Sequence, residues 1–254
     1  MLGDAIRVVW GTIEGCFFYL LHPKKTVVFI ASAQRSGSTL LKALLAEAPD
    51  VSHLPEIPPT RYPSNRFSFY GRVCRLSPKQ IIILKYPAPL YSQDYPPYYL
   101  DDMKYVILFR TPCCVVQSLM KIREFPWSQH PPHWNKDDYF DYWIRTYEAL
   151  LCKLPLDRKS TCFVSYENLT ENPRDLTRRL FSFIGSVHQE GVESYTPPST
   201  FSWTWGSDDV GDKINSLRVQ RAGTHQGCEF LACRENRIRI EALLEKLSAL
   251  SLRG

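Results

Sequence analysis

Residues 25–48 read in turn as a buried strand, a loop of small polar residues and a helix. Lys25–Ala31 is a continuous apolar run with β-branched residues, which favours a strand covered on both faces of a parallel sheet. Ser32–Thr39 follows without a break, and Leu40–Ala48 consists largely of strong helix formers and is ended by Pro49. This order of elements is typical of the first unit of an α/β nucleotide-binding fold.

The rest of the chain continues the alternation of strands and helices. We predict further strands at Gln80–Lys85, Lys104–Phe109 and Thr161–Ser165. We predict further helices at about 113–122, 136–153, 173–184 and 234–250. The alternation implies the α/β class, with a central, mostly parallel sheet and helices on both faces. No linker, repeat or low-complexity segment divides the chain, so we expect one domain over residues 1–254.

The composition excludes several classes of protein. With 44% apolar and 22% charged residues, the chain is neither disordered nor fibrous. Its 31 basic and 26 acidic residues give a formal charge of +5 without a basic run, which indicates a local anion site rather than a nucleic-acid surface. We therefore expect a small-molecule partner and no nucleic acid. The sequence leaves the oligomeric state open.

The N-terminal residues raise the question of a membrane. Apolar residues recur at helical spacing between positions 5 and 21, but Arg7 and Glu14 interrupt them, and the stretch after Glu14 is too short to cross a bilayer. We expect an amphipathic helix within residues 1–24 that packs on or near the domain, no integral membrane segment and no cleaved signal. The expected location is cytoplasmic, and contact of this helix with a membrane surface stays an alternative.

The eight cysteines form no Cys-x-x-Cys pair. Several lie in apolar segments, as Cys162 does, which is typical of reduced, buried thiols. A zinc site from His225, Cys228 and Cys233 lacks a fourth ligand at the usual spacing, so we expect no metal.

The loop Ser32–Thr39 has the composition of an anion-binding site. A loop that precedes a helix presents unpaired amides and the positive end of the helix dipole to a ligand. Gly37 lets the backbone approach closely, and Arg35 adds a guanidinium suited to phosphate or sulfate oxygens. Ser38 and Thr39 offer hydroxyls. An ATP- or GTP-binding P-loop is disfavoured, because such a loop needs a lysine directly after its last glycine, where this chain has Ser38. A serine-rich turn that only caps the helix is the alternative at this point.

The segment Gln34–Leu41, Gln-Arg-Ser-Gly-Ser-Thr-Leu-Leu, resembles the 5′-phosphosulfate-binding loop of sulfotransferases that use 3′-phosphoadenosine 5′-phosphosulfate (PAPS). The family often has proline where this chain has Gln34, a change that affects the stiffness of the loop. The resemblance implies that six consecutive residues bind the phosphosulfate: Arg35, Ser36, Gly37, Ser38, Thr39 and Leu40.

A second segment, Val106–Ser118, extends the resemblance. It reads as a strand, an arginine at the strand end, a proline at a helix start and a serine about two turns along that helix. Ligands of open α/β sheets bind at the carboxyl ends of the strands, where Arg110 stands. The segment is similar to the one with which the family binds the 3′-phosphate, and the resemblance gives this role to Arg110 and Ser118.

Two weaker matches follow. Ser165–Gly185 resembles the tyrosine–glutamate segment of the family and its following helix, in which Tyr166 would contact the nucleotide. The family also has a late loop that closes over the nucleotide. Trp205–Lys213 or Arg221–Gly227 could serve, which makes Lys213 and Arg221 candidate nucleotide ligands.

The proton acceptor distinguishes the branches of the family. Cytosolic small-molecule sulfotransferases have a histidine two residues after the lysine of the second core strand. In this chain that lysine corresponds to Lys85, and the histidine position is occupied by Pro87. Residues 35–56 and the Lys-Tyr-Pro at 85–87 instead resemble a branch that includes tyrosylprotein and some bacterial sulfotransferases, which uses a glutamate. The resemblance implies that Glu56 is the base and that Lys85, with Arg35, stabilises the sulfuryl oxygens; His53 is the alternative base.

These features predict a sulfotransferase that moves a sulfuryl group from PAPS to a hydroxyl or amine of a small molecule, releases PAP and needs no metal. Two other classes stay open: a non-catalytic nucleotide- or anion-binding protein, and a kinase, although no predicted strand ends in a magnesium-binding acid. Aromatic residues beside acids at positions 94, 101, 137, 138 and 141 suggest a flat or cationic acceptor. Sulfotransferases of bacterial natural-product pathways are the comparison for such an acceptor.

Overall fold

Four parallel strands of aliphatic and β-branched residues form one sheet. They are β1 (Thr26–Ala31), β2 (Ile81–Lys85), β3 (Lys104–Phe109) and β4 (Thr161–Ser165), in the spatial order β2-β1-β3-β4. The computed structural model describes residues 13, 25–55, 73, 75–90, 95, 103–123, 130–131, 133–199, 214–221 and 232–252. All four predicted strands and their parallel arrangement are confirmed.

The register of the sheet places all four carboxyl ends at one edge. Lys85 at the end of β2 pairs with Ile30 of β1, and Ala31 of β1 pairs with Ile107 of β3. Phe109 and Ser165, the last residues of β3 and β4, are direct partners. The residues that follow these strands are therefore neighbours in space, although they are far apart in the chain.

Six helices and one short 3₁₀ turn are found in the described part of the chain. The helices are α1 (Ser38–Leu45), α2 (Pro112–Ile122), α3 (Lys136–Lys153), α4 (Tyr166–Glu171), α5 (Pro173–Ile184) and α6 (Arg234–Leu250), and the 3₁₀ turn is Ile214–Ser216. Proline occupies the first turn of α2 and of α5, where its missing N–H is not needed. Asn135 and Asp138 form a capping box at the start of α3.

The helices cover both faces of the sheet. Alternate residues of β1 point to opposite faces, so Phe29 packs with α2, α3 and α6, whereas Ile30 packs with α1 and α5. Every residue of β1, β2 and β3 is buried except Thr26 and Lys104, which begin β1 and β3, and this explains the continuous apolar composition of these strands. The described residues form an α/β domain with a parallel sheet flanked by helices, which confirms the predicted fold class.

The described helices differ from the predicted ones at two places, once in the bounds of a helix and once because a helix was not predicted. The helix predicted at Leu40–Ala48 begins at Ser38 and ends at Leu45, because the left-handed Gly37 already turns the chain into the helix. Helix α4 was not predicted, since its six residues start directly after β4 with no connecting loop. The amphipathic helix expected within residues 1–24 lies outside the described residues except for Ile13. Among the helices described, none is both long enough and apolar enough to cross a bilayer.

Candidate functional site

The loop between β1 and α1 is shaped by two residues with positive φ. Arg35 has a φ of 65° and Gly37 has a φ of 93°, and Gly37 forms the N-terminal cap of α1. A β-carbon on Gly37 would also overlap ring carbons of Tyr166, the residue that follows β4. Glycine is therefore required at position 37 by its backbone conformation and by its neighbour.

Three tyrosine hydroxyls accept the first three N–H groups of the loop. Tyr95 accepts the N–H of Ser32 at 2.9 Å, Tyr147 that of Ala33 at 3.3 Å and Tyr142 that of Gln34 at 2.8 Å. Tyr142 and Tyr147 both belong to α3, which thereby holds the loop from the side. The amides at the start of α1, which a helix leaves without intrahelical partners, follow in the chain and are those suited to an anion.

The same hydroxyls donate to carbonyl groups near the carboxyl ends of the neighbouring strands. Tyr147 donates to Leu108 of β3 at 2.8 Å, Tyr142 to Ala88 at 2.7 Å, and Tyr95 to Tyr86 at 2.9 Å. Burial raises the pKa of each of these three phenols, so they remain protonated and can donate as well as accept. The loop is thus fixed to the sheet and to α3 before any ligand binds.

The sequence predicted an acceptor site from the aromatic residues near these positions and did not predict this arrangement. Hydrogen bonds between a side chain and a backbone more than 60 residues away depend on tertiary packing. The available signal is the spacing on α3, where Tyr139, Tyr142 and Tyr147 lie on or near the face that also carries the buried Trp143.

Arg35, Arg110 and Ser118 come together in the structure. Arg35 donates from Nε to the hydroxyl of Ser118 at 3.0 Å, and Arg110 donates from Nη1 to the carbonyl of Arg35 at 3.2 Å. The guanidinium of Arg110 lies over the ring of Tyr166, 4.4 Å from its centroid. Arg110 Nε is buried and has no hydrogen-bond partner in the described part of the chain. A buried guanidinium nitrogen without a partner favours an anionic ligand at this position.

Lys85 approaches the loop from the next strand. It ends β2, is only 5% exposed, and donates from Nζ to the hydroxyl of Thr39 at 2.7 Å. Its position follows from the pairing of Lys85 with Ile30, because β1 runs directly into the loop. Lys85, Arg35 and Arg110 therefore surround the start of α1 with three positive charges.

Glu167 connects the ends of β3 and β4 and was missed as a site residue. One carboxylate oxygen accepts the N–H of Thr111 at 2.9 Å and its hydroxyl at 2.8 Å, and the other accepts the hydroxyl of Ser165 at 2.9 Å. Trp143 donates to the carbonyl of Arg110 at 3.2 Å. The backbone on both sides of Arg110 is thus held by side chains, which orients its guanidinium.

The remaining predicted site residues are not all within the described ranges. Glu56 and Lys213 lie outside them. Arg221 is exposed, and no hydrogen bond or ion pair between described residues joins it to the loop. His53 is half-buried, and burial, followed by the charge of Lys42, lowers its pKa to about 4. His53 is therefore neutral at pH 7.

The described residues include the candidate metal ligands only in part. No group of three or more His, Cys, Asp or Glu side chains close enough to hold a metal occurs in the described ranges. Of the three residues considered for zinc, Cys233 is an exposed free cysteine before α6, and His225 and Cys228 lie outside the described residues.

Comparison with known proteins identifies the family. A family model described as "Sulfotransferase family" matches residues 60–190, just over half of the chain. The chain belongs to the sulfotransferase family. The matched stretch contains Lys85, Arg110, Ser118 and Tyr166 and begins after the loop. Among curated proteins, none matches the chain.

Several solved structures align with this chain. The sulfotransferase domain from the curacin biosynthetic pathway has a TM-score of 0.60 at 14% identity, over 87% of this chain and 98% of that one. A sulfotransferase from Alicyclobacillus acidocaldarius aligns with a TM-score of 0.48 at 17% identity, over 90% and 98% of the two chains. Retinol dehydratase in complex with androsterone and the inactive cofactor PAP aligns at 0.47 and 15% identity, over 96% and 87%. The first of these shows that the chain has a sulfotransferase fold.

Proposed function

We propose that this sulfotransferase takes its sulfuryl group from PAPS, transfers it to a hydroxyl or amine of a small molecule, and releases PAP. The observation that carries the proposal is the cluster of Arg35, Arg110 and Ser118 at the start of α1, in which Arg110 Nε is buried without a partner. A nucleotide with a 3′-phosphate would supply the anion that this nitrogen lacks.

Two regions of the site suit the two charged ends of the donor. The residues from Arg35 to Leu40 combine a guanidinium, hydroxyls and the amides of a helix N-terminus, which suit a 5′-phosphosulfate. Arg110 and Ser118 suit the 3′-phosphate. Tyr166 lies against Gly37 and Arg110 and would orient that arginine, besides the nucleotide contact that the resemblance implies. Arg221 and Lys213 are further proposed ligands in the late part of the chain.

The residues present also suit the chemistry. Sulfuryl transfer forms a bond from the acceptor oxygen or nitrogen to sulfur and breaks the bond from sulfur to the bridging oxygen, and the proton of the acceptor must leave. Lys85 and Arg35 would stabilise charge on the sulfuryl and bridging oxygens. Glu56 would take the proton of the acceptor and pass it to water. The transfer needs no metal.

The donor is tested by binding of PAP and of AMP, which lacks the 3′-phosphate, to the Arg110→Gln variant. PAP should bind more weakly by about 2–4 kcal/mol, because a buried phosphate loses its charged partner, whereas AMP should be little affected. Arg174→Gln, which removes an exposed arginine of α5, is the control. Calorimetry with both ligands decides the question. Equal losses for PAP and AMP would contradict the role of Arg110, and a wild-type protein that does not bind PAP would contradict the function.

The proton acceptor is tested by Glu56→Gln. This change should lower kcat by about 10²–10⁴-fold and leave PAP affinity within a few-fold, because glutamine cannot accept the proton at neutral pH. The fall of kcat at acid pH should disappear as well. The measurement needs an alkyl hydroxyl acceptor, since an acceptor of low pKa loses its proton with little help. Glu171→Gln, at an exposed glutamate of α4, is the control. Unchanged kcat would remove Glu56 from the mechanism, and PAP binding without any turnover would indicate a non-catalytic nucleotide-binding protein.

A further inference from the structure

The acids near the aromatic stretch before α3 have structural partners. Asp138 accepts the N–H of Asn135 at 2.7 Å and so caps the helix. Asp137 accepts the N–H of Cys233, at the start of α6, at 2.9 Å. Asp141 forms ion pairs with arginines of α3 and α6 at 2.7 and 3.3 Å. These three carboxylates stabilise helices and their contacts, which weakens the argument for a cationic acceptor.

His130 is held beside the loop by the aromatic face of α3. Its Nδ1 lies 3.0 Å from the hydroxyl of Tyr139, a fully buried residue. About one turn along the same helix, the hydroxyl of Tyr142 accepts the N–H of Gln34. Trp134 packs against both tyrosine rings, with centroid distances of 5.2 and 6.4 Å. The imidazole therefore lies near the part of the loop where Gln34 precedes the phosphate-binding residues.

Among the described residues, two guanidinium groups lie near His130: Arg123 donates from Nη1 to the carbonyl of Trp134 at 2.7 Å, and Arg35 follows Gln34 in the loop. Burial lowers the pKa of its imidazole, and the guanidinium groups of Arg123 and Arg35 lower it further. Tyr139, the titratable group in contact with the ring, is buried. The imidazole is therefore neutral at pH 7. An ammonium group beside it would be repelled by both arginines, whereas a carboxylate would be attracted.

The other described histidines are less suited to contact a second substrate. The charged groups that act on His53 are Lys42 and Glu47 rather than Arg35, and its pKa of about 4 makes it a weak base. His133 is exposed. His188 packs edge-on against Phe181 of α5, on the opposite face of the sheet from α3.

We propose that His130 contacts the acceptor through Nε2, and that the acceptor presents a hydroxyl on a neutral or anionic compound. Among the residues that the structure describes, Nε2 has no hydrogen-bond partner, and the half-buried ring is fixed by the hydrogen bond between Nδ1 and the hydroxyl of Tyr139. Trp134, also half-buried, would flank an acceptor bound there. This inference rests on the proposed function, since it assigns the second substrate of the same site.

Two substitutions of His130 separate contact with the acceptor from a structural role. The amide of His130→Asn lies where Nδ1 was and can keep the bond to Tyr139, whereas that of His130→Gln reaches the position of Nε2. With 4-ethylphenol as acceptor, His130→Asn should raise KM about tenfold, the effect of one lost hydrogen bond, and His130→Gln should stay within a few-fold of wild type. The affinity for PAP should not change in either variant. The reverse order, or equal KM values in both variants and the wild type, would overturn the proposal.

The charge preference is tested with three phenols that share one nucleophile: tyramine, 4-ethylphenol and 3-(4-hydroxyphenyl)propionate. Tyramine should have the lowest kcat/KM of the three. Arg123→Gln should reduce the difference in kcat/KM between tyramine and the propionate. Arg145→Gln, at a half-exposed arginine already paired with Asp141, should leave this difference unchanged. A preference for tyramine would overturn the proposal, and so would the absence of turnover with all three in a protein that binds PAP. If the protein does not bind PAP, the result contradicts the proposed function rather than the role of His130.

Discussion

Two constraints act on Gly37: its φ of 93° and the ring of Tyr166 against its α-carbon. Gly185, at the end of α5, has a φ of 79° and open space where a β-carbon would lie, so it is a matched control. Gly185→Ala should lower the free energy of unfolding by about 1–2 kcal/mol, the cost of a left-handed alanine. Gly37→Ala should cost more than this, because the ring must also move, and it should weaken PAP binding. Urea unfolding of both variants measures the difference. Equal losses would show that the contact with Tyr166 has no energetic weight.

At the same residue scale, the sequence predicted a glycine for close approach of a ligand, and the structure adds a second reason. Tyr166 follows β4 and lies more than 120 residues after Gly37 in the chain. It reaches Gly37 because only β3 separates β4 from β1, and the carboxyl ends of these strands lie at the same edge of the sheet. Such a contact depends on the order of strands in the sheet, which the periodicity of a single segment does not contain.

At the scale of elements, α3 holds the loop through tyrosine hydroxyls. Tyr147→Phe would leave the N–H of Ala33 and the carbonyl of Leu108 without this partner, which should cost about 1–3 kcal/mol of stability. Because the loop would then be less well fixed, PAP binding should weaken too. Thr177→Val removes a buried hydroxyl of α5 that accepts the N–H of Val192 at 2.8 Å and makes no hydrogen bond to the loop, and it should lower stability alone. Thermal unfolding and calorimetry with PAP measure both quantities. A Tyr147→Phe variant that binds PAP as the wild type does would contradict a role for α3 in fixing the loop.

The bounds of the long elements were predictable because local signals mark them. Asn135 before α3, Pro112 and Pro173 at the starts of α2 and α5, and Gly185 after α5 are residues that begin or end helices for stated physical reasons. Helix α4 has no separate start signal, because Ser165 both ends β4 and caps the helix, where its hydroxyl accepts the N–H of Asn168. A six-residue helix fused to a strand leaves too short a periodic pattern to be read.

At the scale of the whole molecule, the site is assembled from four separate segments. Arg35 follows β1, Lys85 ends β2, Arg110 follows β3, and Tyr166 follows β4. The resemblance to sulfotransferases predicted these residues one segment at a time, and the alternation of strands and helices predicted that strand ends would meet at one edge. Neither predicted the hydrogen bond from Arg35 to Ser118, which requires the relative position of two elements to be known.

The stability of the whole domain should depend on pH through His53. Burial and the charge of Lys42 lower the pKa of His53 to about 4, whereas in the unfolded chain it is about 6.5. Between these values the unfolded state binds more protons than the folded state, so the free energy of unfolding falls as pH decreases from about 6.5 towards 4. The contribution of neutral His53 is fully present above pH 6.5. His53→Gln cannot be protonated, and its stability should fall less over this range than that of the wild type. Urea unfolding at pH 7 and pH 5 measures the two slopes. Equal losses in wild type and variant would show that the neutral form of His53 is not favoured by folding.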